Sequence, residues 1–267
     1  MEFIVNLLIR SLVETLYLTG MIIFFGLILG LLRNNSIKNI YKSLGFNAVM
    51  VTGFIGVPIH ELSHAILALI FGHNIRDIKL FQKPDNNGVM GYVDHSYNPN
   101  SIYQQVGNFF IGVAPIFGGV ITIITVMYFA IPNTYNKFID ILFNSLHITR
   151  IGKITIEGLL TSYGHLVKSI FSGENFRNPY FYIFLFVAIC ISSHISLSIA
   201  DIKGASRGLI VLFLFLVILN AFGLSIEFMD KAILKYNILI TGMLIVALIL
   251  SAITYIISLG LLVVKKL

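Results

Sequence analysis

The stretch Pro58-Ile-His-Glu-Leu-Ser-His-Ala65 sets His60, Glu61 and His64 in an H-E-x-x-H pattern. On an α-helix, residues four apart share a face, so the two imidazoles can grip one metal ion. Zinc suits two such nitrogens and leaves a coordination position for water. Glu61, beside that face, is placed to take a proton from the water as a general base. With 7 histidines and few glutamates in 267 residues, chance supplies such a pattern only about 0.004 times. The plainer alternative is a pair of packing histidines next to a buried glutamate. Three ionisable groups inside an apolar segment are costly without a task, which weighs against it.

Two histidines leave zinc short of a third protein ligand. A later apolar segment reads Ser192-Ser-His-Ile-Ser-Leu-Ser-Ile-Ala-Asp-Ile-Lys-Gly204. Read as one helix, it puts His194 and Asp201 seven residues apart, two turns along one face. Either residue could complete the site. By helix rise, His194 lies closer in depth to His60 than Asp201 does. His73 is expected at an interface, and His95, His147 and His165 in solvated loops.

These residues are embedded in a chain with 57% hydrophobic and only 11% charged residues and a mean hydropathy of +0.90. Soluble domains carry about 25% charged residues. The composition implies an all-α, multi-pass integral membrane protein, expected in the cell membrane, and excludes disorder. A single cysteine, Cys190, excludes a disulfide scaffold. A formal charge of +6 fits flanking Lys and Arg at a membrane surface better than nucleic-acid binding. The N-terminus lacks the pattern of a cleaved signal, since Glu2 opens it and Arg10 interrupts the apolar run.

Runs of about 20 apolar residues predict six transmembrane helices, near residues 12–32, 47–72, 108–131, 179–201, 208–226 and 238–264. Residues 1–11 read as an interfacial lead-in and 33–46 as a short basic loop. Residues 132–178 carry amphipathic stretches expected to lie on the membrane surface. Between 75 and 94, two β-rich runs flank Pro84-Asp-Asn-Asn-Gly88, which predicts a β-hairpin. Lys and Arg divide ten against eight between the two sides of this arrangement, which does not set orientation. His60 falls about 13 residues into its span, roughly 20 Å at helical rise, so a metal there lies within the membrane region. Gly53, Gly56 and Pro58 precede it and either loosen the helix or simply allow close packing.

An H-E-x-x-H on one membrane helix, a Gly/Pro-rich helix next and a later helix bearing Asp-x-x-Gly resemble the site-2 protease family of intramembrane zinc metalloproteases. The resemblance implies His60 and His64 as zinc ligands, Glu61 as the catalytic glutamate and Asp201 as the third ligand. Gly112-Val-Ala-Pro-Ile-Phe-Gly-Gly119 matches the family's A-G-P-x-x-N in part, with Gly118 where the asparagine stands. The hairpin 75–94 resembles the family's membrane-dipping loop, which pairs with extended substrate. The likeness covers residues 47–204 as a metalloprotease core, preceded by residues 1–46 and followed by two helices in 205–267. It departs at Ile202-Lys203, which separate Asp201 from Gly204, and at His194, which falls where the family has an asparagine. His194 therefore stands as an alternative ligand or as a group positioning substrate or oxyanion. Glu227-Phe-Met-Asp230 resembles a second-glutamate motif of another membrane zincin family without its wider pattern.

The resemblance implies a zinc endopeptidase acting on membrane-protein or membrane-peptide substrates within the lipid bilayer. A zinc-binding scaffold or regulatory pseudo-protease is the alternative, disfavoured by the intact Glu61. A transporter using the polar segment 192–201 as an ion path would bind no zinc.

Overall fold

The computed structural model describes residues 2–85, 88–145, 153–223 and 227–266. Nine helices and two strands are described: α1 (Glu2–Leu44), α2 (Phe46–Ile70), β1 (Asn74–Lys79), β2 (Tyr92–Ser96), α3 (Ile102–Ala130), α4 (Pro132–Ser145), α5 (Lys153–Ile170), α6 (Gly173–Arg177), α7 (Pro179–Ser192), α8 (Ile199–Ala221) and α9 (Glu227–Lys266). Five of them, within α1, α2, α3, α8 and α9, are long and apolar enough to cross a membrane. The chain is an all-α polytopic membrane protein with one small hairpin.

α1 is longer at both ends than the sequence reading expects. Residues 1–11 contribute helix from Glu2 onward, where Arg10 and Glu14 form an i,i+4 pair at 3.3 Å. The basic segment after Arg33 is helical as well. It contains no Gly or Pro before Gly45, and Asn35, Ser36 and Ser43 bond back to the carbonyls of Leu31, Leu32 and Asn39. Gly45, at φ 82°, ends the helix.

The larger departure is in the predicted fourth span. It is a 14-residue helix, α7, followed by six non-helical residues and then α8. At 1.5 Å per residue α7 reaches roughly 21 Å, short of a ~30 Å hydrocarbon layer. The serines that make this segment polar also break it. Ser193 ends α7, its hydroxyl donating to the Ile189 carbonyl at 2.7 Å. Ser198 and Asp201 start α8 with a reciprocal capping box. Non-helical backbone among membrane helices is tolerated where it lines a polar cavity, and Ser196, Leu197 and Ser198 do so.

α1 packs along α9 and α8, and α3 runs through the centre against α2, α7 and α8. One buried apolar cluster joins Ile22, Phe25 and Leu29 of α1 to Phe109, Ile116 and Ile123 of α3 and to Leu244 and Ala247 of α9. The segments 1–46, 47–204 and 205–267 thus share a single core. The amphipathic α4 and α5 contribute Phe138, Leu166 and Ile170 to it. Where α1 packs on α8, Asn220 donates to Glu14 at 2.7 Å and to Ser11 at 2.9 Å, giving a buried carboxylate a partner.

The strands pair antiparallel, Lys79 with Tyr92 and Ile78 with Val93, with an irregularity between Ile75 and Asp77. Asn86 and Asn87 of the predicted turn lie outside the described residues. The hairpin runs back along α2: Phe81 and Met90 approach Gly53, and Gly91 approaches Val57 and Glu61.

Candidate metal centre

His60 and His64 lie one turn apart on α2, which continues unbroken through Pro58. Asp201, third residue of α8, faces them. The His60 and His64 Nε2 atoms are 3.2 Å apart. His64 Nε2 lies 3.1 Å from Asp201 Oδ1, and His60 Nε2 lies 3.7 Å from Oδ2. A tetrahedral ion with bonds of about 2.0–2.1 Å holds its ligand atoms about 3.3–3.4 Å apart. The three residues can therefore hold one metal ion.

The outer hydrogen bonds fix which nitrogens are free. His60 Nδ1 donates to the His194 carbonyl at 3.1 Å, and His64 Nδ1 donates to the Ile111 carbonyl at 2.8 Å. Carbonyls only accept, so in each neutral ring the proton sits on Nδ1 and the lone pair on Nε2. Two imidazole lone pairs and a carboxylate converge, an arrangement stabilised by a cation. Such carbonyl or carboxylate partners are the usual support for metal-ligating histidines. The break after α7 supplies one of them: outside a regular helix, the His194 carbonyl is available to His60.

Asp201 is held in turn. Its Oδ2 accepts from the Ser198 backbone N–H at 2.7 Å, and its own N–H donates to Ser198 Oγ at 3.1 Å.

The His194 side chain is elsewhere. Its Nε2 is 3.4 Å from Thr52 Oγ1, whose own hydrogen goes to the Val49 carbonyl, so His194 Nε2 is the donor. Its ring packs on Gly56, where a Cβ would lie 2.6 Å from the ring. The structure thus groups Asp201, and not the His194 ring, with the two histidines. The expectation that His194 and Asp201 share one helical face is corrected by the break between them. Gly53 and Gly56 serve close packing, with no loosening of α2.

Gly118 faces Ser63. A Cβ there would come within 2.7 Å of Ser63 Cβ, so no larger residue fits while Ser63 is present.

The metal-ligand group opens on a cavity of about 800 Å³. Its walls include Glu61 of α2, Gly88–Val93 and His95 of the hairpin, Asn108 and Ile111 of α3, the 194–204 segment, and Arg33 and Asn34 of α1. Glu61 is buried beside His60. A Cβ on Gly91 would lie 2.8 Å from Glu61 Cγ and 2.7 Å from Val57 Cγ1, so glycine lets the hairpin reach Glu61.

Three cavity residues were not singled out from the sequence. Asn108 is buried and has no side-chain hydrogen bond among those described; at the start of an apolar span it reads as a boundary residue. Arg33 reads as a loop cation. His95 reads as solvated, yet it is half-buried, with Nδ1 3.0 Å from His73 Nδ1. His73, read as interfacial, is buried, and its Nε2 donates to the Gln104 carbonyl at 2.9 Å. That leaves His73 Nδ1 as acceptor and His95 Nδ1 as donor, so His95 Nε2 carries a lone pair. Burial, then the neighbouring His73, holds the His95 imidazole below its ordinary pKa of 6.5. His165 is exposed on α5, and His147 lies outside the described residues. The side chains of Glu227–Asp230 lie outside them too.

No family model, curated protein or solved structure matches the chain.

Proposed function

We propose that this protein is an intramembrane zinc endopeptidase, a divergent relative of the site-2 proteases, hydrolysing peptide bonds in or near transmembrane segments. The observation that carries this reading is the convergence of His60 Nε2, His64 Nε2 and Asp201 at tetrahedral spacing, with Glu61 on the wall of the same cavity. Zinc bound by these three residues would supply a polarised water and a Lewis acid for the substrate carbonyl. Glu61 takes the proton of the attacking water and passes it to the leaving amine. The hairpin residues 88–93 line the cavity and offer backbone groups to an extended substrate by strand addition. Pairing of this kind suits a protease, since a helical substrate hides its carbonyls in its own hydrogen bonds. The Asn108 amide, free of other partners, is available to the peptide.

Glu61→Gln tests the reading. It keeps the shape of the side chain and removes the proton acceptor. Cleavage of membrane peptides by purified protein should fall by about 10² or more while zinc content stays near one per chain. Undiminished turnover overturns the mechanism. Stoichiometric zinc with no cleavage by the unmodified protein would favour the zinc-binding scaffold, and absence of bound zinc would favour the transporter.

A further inference from the structure

Arg33 is the one Lys or Arg among the described residues lining the cavity. Its Nη1 donates to Asn34 Oδ1 at 3.1 Å, and its Nε is buried without an acceptor. No described carboxylate forms an ion pair with it. The carboxylates on the cavity wall are Glu61 and Asp201. A divalent ion held by neutral His60 and His64 with Asp201 balances those two charges and leaves the guanidinium as surplus. A cation with a buried Nε that feels Asp201 only across the cavity, without an ion pair, is costly, and such residues face a pathway or a partner.

The position of Arg33 relative to the hairpin suggests the partner. Arg33 and Asn34 border a smaller adjoining cavity together with Gly88 and Met90, while Gly91 packs against Glu61. A peptide paired along residues 88–93 would therefore run from the base to the guanidinium in about three residues, or ~10 Å. Guanidinium presents a fork of N–H donors that matches a carboxylate, and with Asn34 Oδ1 engaged by Arg33, the Asn34 Nδ2 group adds donors.

We infer that Arg33, with Asn34, binds a carboxylate of the substrate about three residues from the bond cleaved, either a free C-terminus or an Asp or Glu side chain. This rests on the peptidase reading and names its substrate class: segments carrying a negative charge near the cut.

Binding separates the inference from the reading. Three dansyl peptides share one apolar sequence: one with a free C-terminal carboxylate, one amidated, and one amidated with a single internal Glu. Their affinities for zinc-loaded Glu61→Gln protein in neutral detergent are read by fluorescence anisotropy. At least one carboxylate peptide should bind about 10-fold or more tighter than the plain amide, and which one does so assigns the source. Adding Arg33→Gln should erase the preference and leave amide binding unchanged, and Arg33→Lys should keep part of it. Equal affinity for all three peptides overturns the inference. So does an equal loss for all three in both Arg33 variants. So does competition by phosphatidylglycerol vesicles that removes every peptide alike, which would assign the guanidinium to a lipid headgroup. Cleavage by the unmodified protein is scored separately. Its absence beside Arg33-dependent selectivity would count against the peptidase reading and leave carboxylate binding standing.

Discussion

Ser198→Ala should perturb the proposed metal centre through a residue that supplies none of its ligand atoms. Ser198 Oγ accepts from the Asp201 N–H at 3.1 Å, and the Ser198 N–H donates to Asp201 Oδ2 at 2.7 Å. Alanine removes the first bond and leaves the second. Loss of an N-cap hydroxyl costs about 1 kcal/mol of helix stability. Here the fraying turn carries a proposed ligand, so the loss reaches the metal. Removing an outer partner of a ligand typically lowers metal affinity about 10- to 100-fold, or about 1.4–2.7 kcal/mol. Competition with a chromophoric zinc chelator measures this directly. Ser198→Ala should fall in that window, Ser198→Thr should recover most of it, and Asp201→Ala should lose zinc altogether. Zinc affinity unchanged in Ser198→Ala would show that the capping box does not hold the ligand. Full zinc occupancy in Asp201→Ala would refute the ligand set itself.

Other expectations follow from the same geometry. Alanine at His194 leaves its backbone carbonyl, the atom that orients His60, in place; zinc content should drop far less than in Asp201→Ala, and the reverse order would make the His194 ring the ligand. Proline at successive positions from Met90 to Val93 removes one backbone donor at a time; at least one should impair cleavage while zinc stays bound, and normal cleavage by all would exclude this strand as the substrate dock. Val89 is a control, since its N–H already bonds Asp85 Oδ1 at 2.9 Å. His95 has a folded pKa below its ordinary 6.5, so its contribution to stability is full above that pH and is lost as pH falls through it towards the folded value. Thermal unfolding between pH 7 and 5 should fall more steeply in the unmodified protein than in His95→Gln; parallel curves would refute the shift.

Much of the site was legible because its signal is local. H-E-x-x-H needs only one turn of helix to bring His60 and His64 together, and the alternation on either side of Pro84–Gly88 needs only neighbouring residues to make a hairpin. Asp201 could be picked out by resemblance, but composition alone read its segment as one continuous helix. Serine in an apolar run is compatible with a helix and with its termination, and only the pairing of Ser198 with Asp201 resolves which. The cavity positions of Arg33 and Asn108 were hidden for a different reason. Each sits at the edge of an apolar run, where a polar residue ordinarily meets the membrane surface. Only the packing of α1 and α3 with α2 turns them towards a common cavity. The His73–His95 pair joins residues on either side of a loop, a contact that spacing does not reveal.

The proposed ligand set is divided between two stretches of chain synthesised far apart in time. When α2 has emerged and inserted, it offers two imidazoles of the three-residue group that could hold a metal ion. The carboxylate, and the carbonyl that turns His60 Nε2 towards it, arrive together only when residues 194–201 have been made and have docked against α2 and α3. A polypeptide cut short before that point carries the whole H-E-x-x-H motif and no competent centre. Under the proposed peptidase reading, an unfinished or misinserted copy has no hydrolytic capacity until residues 194–201 have docked.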